Sequence, residues 1–296
     1  MLLLIAGSPD GTADRIVSAY GSEVFRLNFD LWKDYHLALS PDGWSIENPA
    51  GLKITSKTVT RAFWWKAFNF WVAGEDKLIS AEVRYIFREI YGSCVDKGIA
   101  KGNFIDWHNL RGKVHILRLA KQFFHIPKTL VTLNGSGTDS LNGLSLVAKS
   151  LSSELSNENT VMATVEVGLD RIDPSFPWYL QSKVDSDWDV TVLQCGNLLF
   201  PFRRSRKNLK GLDWRLEQSF DYSTKEWFPF EISKTDAKNI IKLSESIGVE
   251  FGRYDFLIDT SGNLLFLEFN ANGQWVFLDV WNEYGLLDAV VGWIKS

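Results

Sequence analysis

Asp255, Glu268 and Asn270 are the side chains whose types and spacing point most directly to chemistry. They lie in "RYDFLIDTSGNLLFLEFNANGQW", residues 253–275. Both arms of this segment alternate with the two-residue period of extended strands. In the first arm Arg253, Asp255 and Leu257 share one face, and Tyr254, Phe256 and Ile258 the other. In the second, Leu264, Phe266, Glu268 and Asn270 share a face, and Leu265, Leu267 and Phe269 the other. A turn over Thr260 to Asn263 sets Asp259 against Leu264, Leu257 against Phe266 and Asp255 against Glu268. That register holds two carboxylates face to face, with Cβ atoms roughly 5 Å apart. Like charges there repel, and a divalent cation reverses the sign of that energy. Asp, Glu and Asn offer only oxygen, which selects Mg²⁺ or Mn²⁺ over zinc. The alternative is a surface hairpin with solvated charges. The apolar runs "FLI" and "LLFL" around the charges argue against it.

Such a hairpin needs a sheet and a core to hold it. The 296 residues are enough for more than one domain. Hydrophobic content of 45% and charged content of 23% are those of an ordinary globular protein. The net charge of −4 argues against a general nucleic-acid binder. No stretch approaches a membrane span. "MLLLIAG" is too short for a signal sequence and lacks basic residues before it. The two cysteines, Cys94 and Cys195, have no metal or redox spacing. These features place the protein in the cytoplasm, with no nucleic acid and no membrane as partner.

Along the chain, "LLLIAG", "ADRIVSAYG" and "EVFRLNF" read as strand, helix and strand, the helix closed by Gly21. The glycines of "GSPDGT" fit no phosphate-binding motif. Helical periodicity runs from Lys77 to Val95. It resumes after Gly112, where Val114, Leu117, Ala120 and Phe124 share a face. Pro127 precedes a strand. Strands follow in "LSLVAKSL", "TVMATVEV" and "WYLQSKV", with a polar loop "SSELSNEN" between the first two. "WDVTVLQCGNLLFPFRR" reads as a hairpin turning at Gly196-Asn197. "SKTDAKNIIKLSESIG" is a helix capped by Ser233 and Asp236 and ended by Gly248, with Ala237, Ile240, Ile241, Ser244 and Ile247 inward. "LLDAVVGWI" is a last helix. The aromatic cluster "RAFWWKAFNFW" (61–71) reads as a seam between domains, or as a docking surface for a peptide. The basic run "RRSRKNLK" (203–210) is either a solvated loop or a contact for an acidic partner.

With these residues in view, a family resemblance follows. Asp255 and then Glu268-Phe269-Asn270 resemble the metal-binding end of an ATP-grasp ligase. "FLEFNANGQW", "DWR" (213–215) and "YLQSKVDSDWDVTVLQCGNLLF" are similar to the ATP-grasp maturases of microviridin-type peptides (graspetides). The resemblance covers most of the chain and is specific in its last 120 residues or so.

It implies an α/β (α+β) ATP-grasp fold. Residues 1–108 would be a pre-ATP-grasp α/β domain, 109–184 a central lobe and 185–296 a C-terminal lobe with the metal site. Lys113 and Lys149 match lysines that bind ATP phosphates. Gln181, Ser182, Lys183 and Val184 match the hinge whose backbone reads adenine, and Asp189 the acidic residue near the ribose. Arg203 and Arg215 match arginines at the phosphates and the reacting centre. Asp255, Glu268 and Asn270 would hold Mg²⁺ or Mn²⁺.

Ser182 stands where the family often has an acidic residue, and Thr191 where it often has arginine. Either the substrate contacts differ, or another arginine such as Arg204 or Arg206 takes that place. The implied activity is an ATP-dependent ligation through an acyl phosphate, joining Asp or Glu side chains to Ser, Thr or Lys in a ribosomal precursor peptide. Its partner would be a peptide with an acidic core and a recognised leader, and a homodimer is the assembly considered. The alternatives are a ligase for an amino acid or small molecule, and a non-catalytic ATP-binding regulator. The four histidines form no nucleophilic constellation that would suggest other chemistry.

Overall fold

The computed structural model describes residues 1–66, 76–102, 112–151, 164–209, 211–212 and 225–296. Strand β1 (Leu2–Ala6) is buried along its whole length, as expected for a parallel strand covered on both faces. Helix α1 (Gly11–Tyr20) follows, its first turn capped by the Asp10 carboxylate, which accepts from Thr12 and Ala13. Gly21 ends it at φ +97°, a conformation that suits glycine. Strand β2 (Val24–Asn28) then pairs parallel with β1. A three-stranded antiparallel sheet of β3 (His36–Ser40), β4 (Gly43–Glu47) and β5 (Lys53–Thr55) comes next. Strand β6 (Arg61–Trp64), α2 (Lys77–Asp96) and β7 (Ala100–Lys101) complete a sheet of order β2-β1-β6-β7.

Alternation along β1 and β6 divides two cores. Leu3, Ile5 and Trp64 pack with α2 and the three-stranded sheet. Leu2, Leu4, Phe63 and Trp65 face the other way, toward the C-terminal part of the chain.

Helix α3 (Lys113–Ala120) leads to a four-stranded antiparallel sheet of β8 (Thr129–Thr132), β9 (Leu146–Lys149), β10 (Val165–Val167) and β11 (Trp178–Ser182), in the order β10-β9-β11-β8. The last sheet is antiparallel and five-stranded. It holds β12 (Trp188–Cys195), β13 (Leu198–Ser205), β14 (Phe228–Pro229), β15 (Phe251–Ile258) and β16 (Leu264–Asn270), in the order β14-β13-β12-β15-β16.

Helix α4 (Lys234–Ile247) joins α3 on one face of this sheet, over Val190, Val192, Tyr254, Phe256 and Phe266. On the opposite face Leu193, Cys195 and Phe251 meet the N-terminal sheet. Helix α5 (Leu286–Lys295) returns to pack against α1. Trp293 stacks on Phe251 at 5.0 Å and meets Phe63 edge-on at 6.0 Å. The described part of the aromatic cluster thus packs between the N-terminal sheet and the five-stranded sheet on one face of β6, and against α2 and the three-stranded sheet on the other. Residues 67–71 of that cluster lie outside the described residues.

Three readings need correction. Helix α3 stops at Ala120, short of Phe124, and Val114 is exposed on it while Ile116 lies inward. In α4, Leu243 is buried and Ile241 only partly so. The β3-β4-β5 sheet was not anticipated. The polar loop beginning at residue 152, the first part of "TVMATVEV", Asp213 and Arg215 lie outside the described residues, as does the boundary at residue 108.

Candidate ATP and metal site

Strand alternation aims a row of polar side chains away from the helices. On β12 and β15, Val190, Val192, Tyr254 and Phe256 enter the helix-covered core. Asp189, Thr191, Arg253 and Asp255 take the other face. Asp255 pairs with Thr191 on one side and Glu268 on the other.

The route to the Asp255–Glu268 pair differs from a simple hairpin. The loop is five residues, Asp259 to Asn263, because the Asp259 carboxylate accepts from the Ser261 and Asn263 amides at 2.9 and 2.8 Å. This sets Ile258 against Leu264 and Leu257 against Leu265, one residue off the expected register. A β-bulge then restores it: Phe256 faces Phe266, Asp255 faces Glu268, and Leu267 is the extra residue. Leu264 and Phe266 therefore point into the core, and only Glu268 and Asn270 of the expected four take the cleft face.

The two carboxylates are not left in bare repulsion. The Arg253 guanidinium donates to Asp255 through Nε at 3.1 Å and Nη2 at 3.0 Å. Thr191 Oγ1 donates to Asp255 Oδ1. Asn270 Nδ2 bridges, donating to Asp255 at 2.8 Å and Glu268 at 3.3 Å. Turning that amide over would offer Oδ1 to a cation. Gly273 lets the following loop fold back. A Cβ there would meet the Asn270 and Arg253 Cβ atoms at 2.9 and 3.0 Å. The loop's Gln274 carbonyl accepts from Arg253 at 2.7 Å, and its side-chain oxygen accepts from Thr12 on α1 at 2.7 Å.

The donor set fits a hard cation. It is two carboxylates and an amide, and among the described residues no group of three His, Cys, Asp or Glu converges. Few protein ligands leave positions for water and phosphate oxygens, as Mg²⁺ prefers.

This face lines a cleft of about 850 Å³, its open mouth included, whose opposite wall is the four-stranded sheet. Lys149, Gln181, Ser182, Lys183, Val184, Asp189, Asp255 and Glu268 all line it. Gln181 is buried, donates to Thr129 at 3.1 Å and has no partner for Oε1 among the described residues. The Ser182 and Lys183 amides donate to Lys128 and Ser145 carbonyls at 2.8 and 2.7 Å. Asp189 pairs with Arg206, yet burial pushes its carboxyl above the usual range, and its Oδ2 has no partner among the described residues. Tyr179, on β11, is pushed up by burial and then by the nearby Glu268 charge, so the two walls approach each other there.

Other expected residues sit elsewhere. Lys113 reaches the Ser150 carbonyl at 2.8 Å, beside the end of β9, and does not line the cleft. Arg203, expected at the reacting centre, is on the wrong face for it. It pairs with Val190, and its guanidinium lies 4.3 Å from the Trp188 ring and 5.1 Å from Phe230. Arg204 binds Glu226. Within the basic run Arg203, Arg204 and Arg206 are thus engaged internally, while Lys207 is exposed and residue 210 lies outside the described residues. Arg253 was assigned no role from the sequence. The available signal was its position two residues before Asp255 on the same strand face.

No protein-family model matches the chain, and no curated protein aligns with it significantly. Solved structures do match along its whole length. A Chryseobacterium gregarium RiPP-associated ATP-grasp ligase, in complex with ADP and a leader and core peptide, superposes at TM-score 0.85 with 20% identity, covering 99% of this chain and 96% of that one. The Microcystis aeruginosa macrocyclase MdnC, bound with precursor peptide MdnA, gives 0.82 and 21%, covering 100% of both. The ATP-grasp ligase PsnB, with minimal precursor, Mg and ADP, gives 0.73 and 14%, covering 99% and 97%. The fold is thus that of the ATP-grasp ligases.

Proposed function

We propose that this chain is an ATP-dependent carboxylate–hydroxyl or carboxylate–amine ligase that cross-links side chains of a ribosomally made precursor peptide. One observation carries it. In a chain that follows peptide-modifying ATP-grasp ligases from end to end, Lys149, the Gln181–Val184 hinge and the Asp255–Glu268–Asn270 set line or border one cleft.

Each group has work suited to its chemistry. Val184 has the one hinge amide, among residues 182–184, with no acceptor among the described residues, and Gln181 Oε1 is an unmatched acceptor. Together they complement the adenine edge. Asp189 Oδ2 offers an acceptor to a ribose hydroxyl. Lys149 supplies a point charge for the phosphates. Asp255, Glu268 and Asn270 would hold Mg²⁺ or Mn²⁺, which neutralises phosphate charge when bound. Arg253 fixes Asp255 and adds positive charge beside it.

The reaction moves the γ-phosphoryl group of ATP to a substrate carboxylate, releasing ADP. A substrate hydroxyl or amine then displaces phosphate from the acyl phosphate and gives up its proton. Positioning and charge neutralisation are the main demands of the first step. The division at residues 108 and 184 belongs to this reading. So does a cytoplasmic location, with both cysteines free and buried. Among the described residues no helix is long and apolar enough to cross a membrane.

The test is to incubate the protein with ATP, Mg²⁺ and small peptides rich in Asp/Glu and Ser/Thr, taken first from any encoded beside its gene. Loss of one water per bond, with ADP release, is expected. ATP turnover without peptide modification would reject the peptide substrate, and no nucleotide binding would reject the whole reading.

A further inference from the structure

Lys66 stands just past β6, at the C-terminal edge of the parallel sheet, where ligands of open α/β sheets are bound. Its backbone is left-handed at φ +51°, a conformation that side chains other than glycine and asparagine seldom adopt. The neighbouring loop ends in Asp10, whose Oδ1 is occupied in capping α1. Its chain neighbour Trp65 meets Phe251 edge-on at 6.3 Å, two residues from Arg253, and Arg253 and Thr12 of the Asp10-capped helix both bond Gln274, so Asp10 attracts the Lys66 ammonium and Arg253 repels it. Among the described residues no ion pair or hydrogen bond from Lys66 Nζ is formed. Its one recorded contact is the Trp65 ring, at 5.7 Å. Burial lowers its pKa to about 8. A largely buried ammonium without a bonded anion is costly to folding, and such groups mark functional sites.

Lys66 therefore adds a second positive charge beside Arg253, on the N-terminal-domain side of the metal ligands. Arg253 has one carboxylate partner, Asp255, which is also claimed by the cation site. A divalent cation on Asp255 and Glu268 offsets those two carboxylates, which leaves the Arg253 and Lys66 charges for a further anion. We propose that Lys66, with Arg253 beside it, is the docking point for the side-chain carboxylate of the peptide that is to be activated. The N-terminal domain then contributes directly to substrate choice, selecting acidic over neutral side chains. This rests on the ligase reading above, and it assigns Lys66 a specificity role that the strand motifs do not.

The probes are N-acetyl-glutamate N-methylamide and its glutamine counterpart, titrated by NMR into wild type, Lys66→Met and Lys66→Arg, each with Mg²⁺ and AMPPNP. The acidic probe should bind wild type in preference to the neutral one. Its affinity should fall roughly tenfold or more in Lys66→Met and be largely kept in Lys66→Arg. Mg²⁺·AMPPNP affinity should be the same in all three, and thermal melts verify folding. A wild type that does not discriminate acid from amide, whether both bind or neither does, overturns the proposal. So does a folded Lys66→Met that binds the acidic probe as wild type does. Loss of Mg²⁺·AMPPNP binding in wild type would instead refute the nucleotide reading. The acidic-probe titration without nucleotide would then judge Lys66 alone.

Discussion

The five-stranded wall of the cleft lays Val190, Val192, Tyr254, Phe256 and Phe266 on two helices. The four-stranded wall facing it buries Leu141, Leu146, Ala148 and Leu180 as its apolar core among the described residues. Their polar faces differ in the same way. The first presents acids already braced by Arg253, Thr191 and Asn270. The second presents a lysine, a glutamine with an unmatched oxygen and a stretch of hinge backbone. A dense core can hold charges at fixed separations, as a metal site needs. A thin core opens locally at low cost, as a wall that must admit and release a nucleotide needs.

The largest test attacks the braced wall. Glu268→Gln should reduce peptide-dependent ADP release by on the order of 10²-fold or more and melt close to wild type, because Asn270 still finds an acceptor. Asp255→Asn should lose comparable activity and also roughly 3 kcal/mol of stability, since it strands a buried guanidinium. If both variants melt alike, Arg253 is not the brace described here.

A smaller effect is expected on the thin wall. Lys149→Ala should weaken Mg²⁺·AMPPNP binding roughly tenfold by calorimetry, with little change in melting. Lys113→Ala should cost less, because its ammonium serves the Ser150 carbonyl. Unchanged affinity in Lys149→Ala would remove that wall from phosphate binding.

Hydrogen exchange compares the walls directly. Amides of β9 and β11 should exchange faster than those of β12 and β15, and Mg²⁺·AMPPNP should narrow the gap. The reverse ranking would break the contrast between them.

An effect of a different kind, on pH dependence, concerns Lys66, which neither wall contains. Its pKa falls from 10.5 to about 8 on folding, so between these values the unfolded chain holds more protons. Wild-type stability therefore gains from this group as pH rises through that window. Lys66→Met, free of the burial penalty, should melt above wild type at pH 7. The difference should close between pH 8 and 10.5. A constant difference would mean that the ammonium is not the cause.

Much of this was legible because the period of two is a strong signal. The βαβ opening, the Gly196-Asn197 turn and the Ser233 cap follow from local pattern and turn chemistry; Asp255 does face Glu268, but through a five-residue loop and a bulge rather than the expected turn. The parity of Arg203 is also readable, since Val190 faces the core and its cross-strand partner must do so too. The bulge was not readable. Asp259 shortens the ladder through hydrogen bonds to its own loop, and nothing in "LLFLEF" marks which leucine is extra. Lys66 and Arg253 come together only through tertiary packing, from positions far apart in the chain.

The extra leucine also bears on how such a protein can change. Most substitutions at Leu267 would keep Glu268 and Asn270 aimed at the cleft, because the bulge is a matter of residue number. Loss of one residue between Phe266 and Glu268 would let the ladder close evenly and still leave Glu268 opposite Asp255, whereas a ladder closed evenly over all the present residues would set Glu268 opposite Tyr254, in the core. The bulge is thus what lets a five-residue loop and a cleft-facing Glu268 coexist.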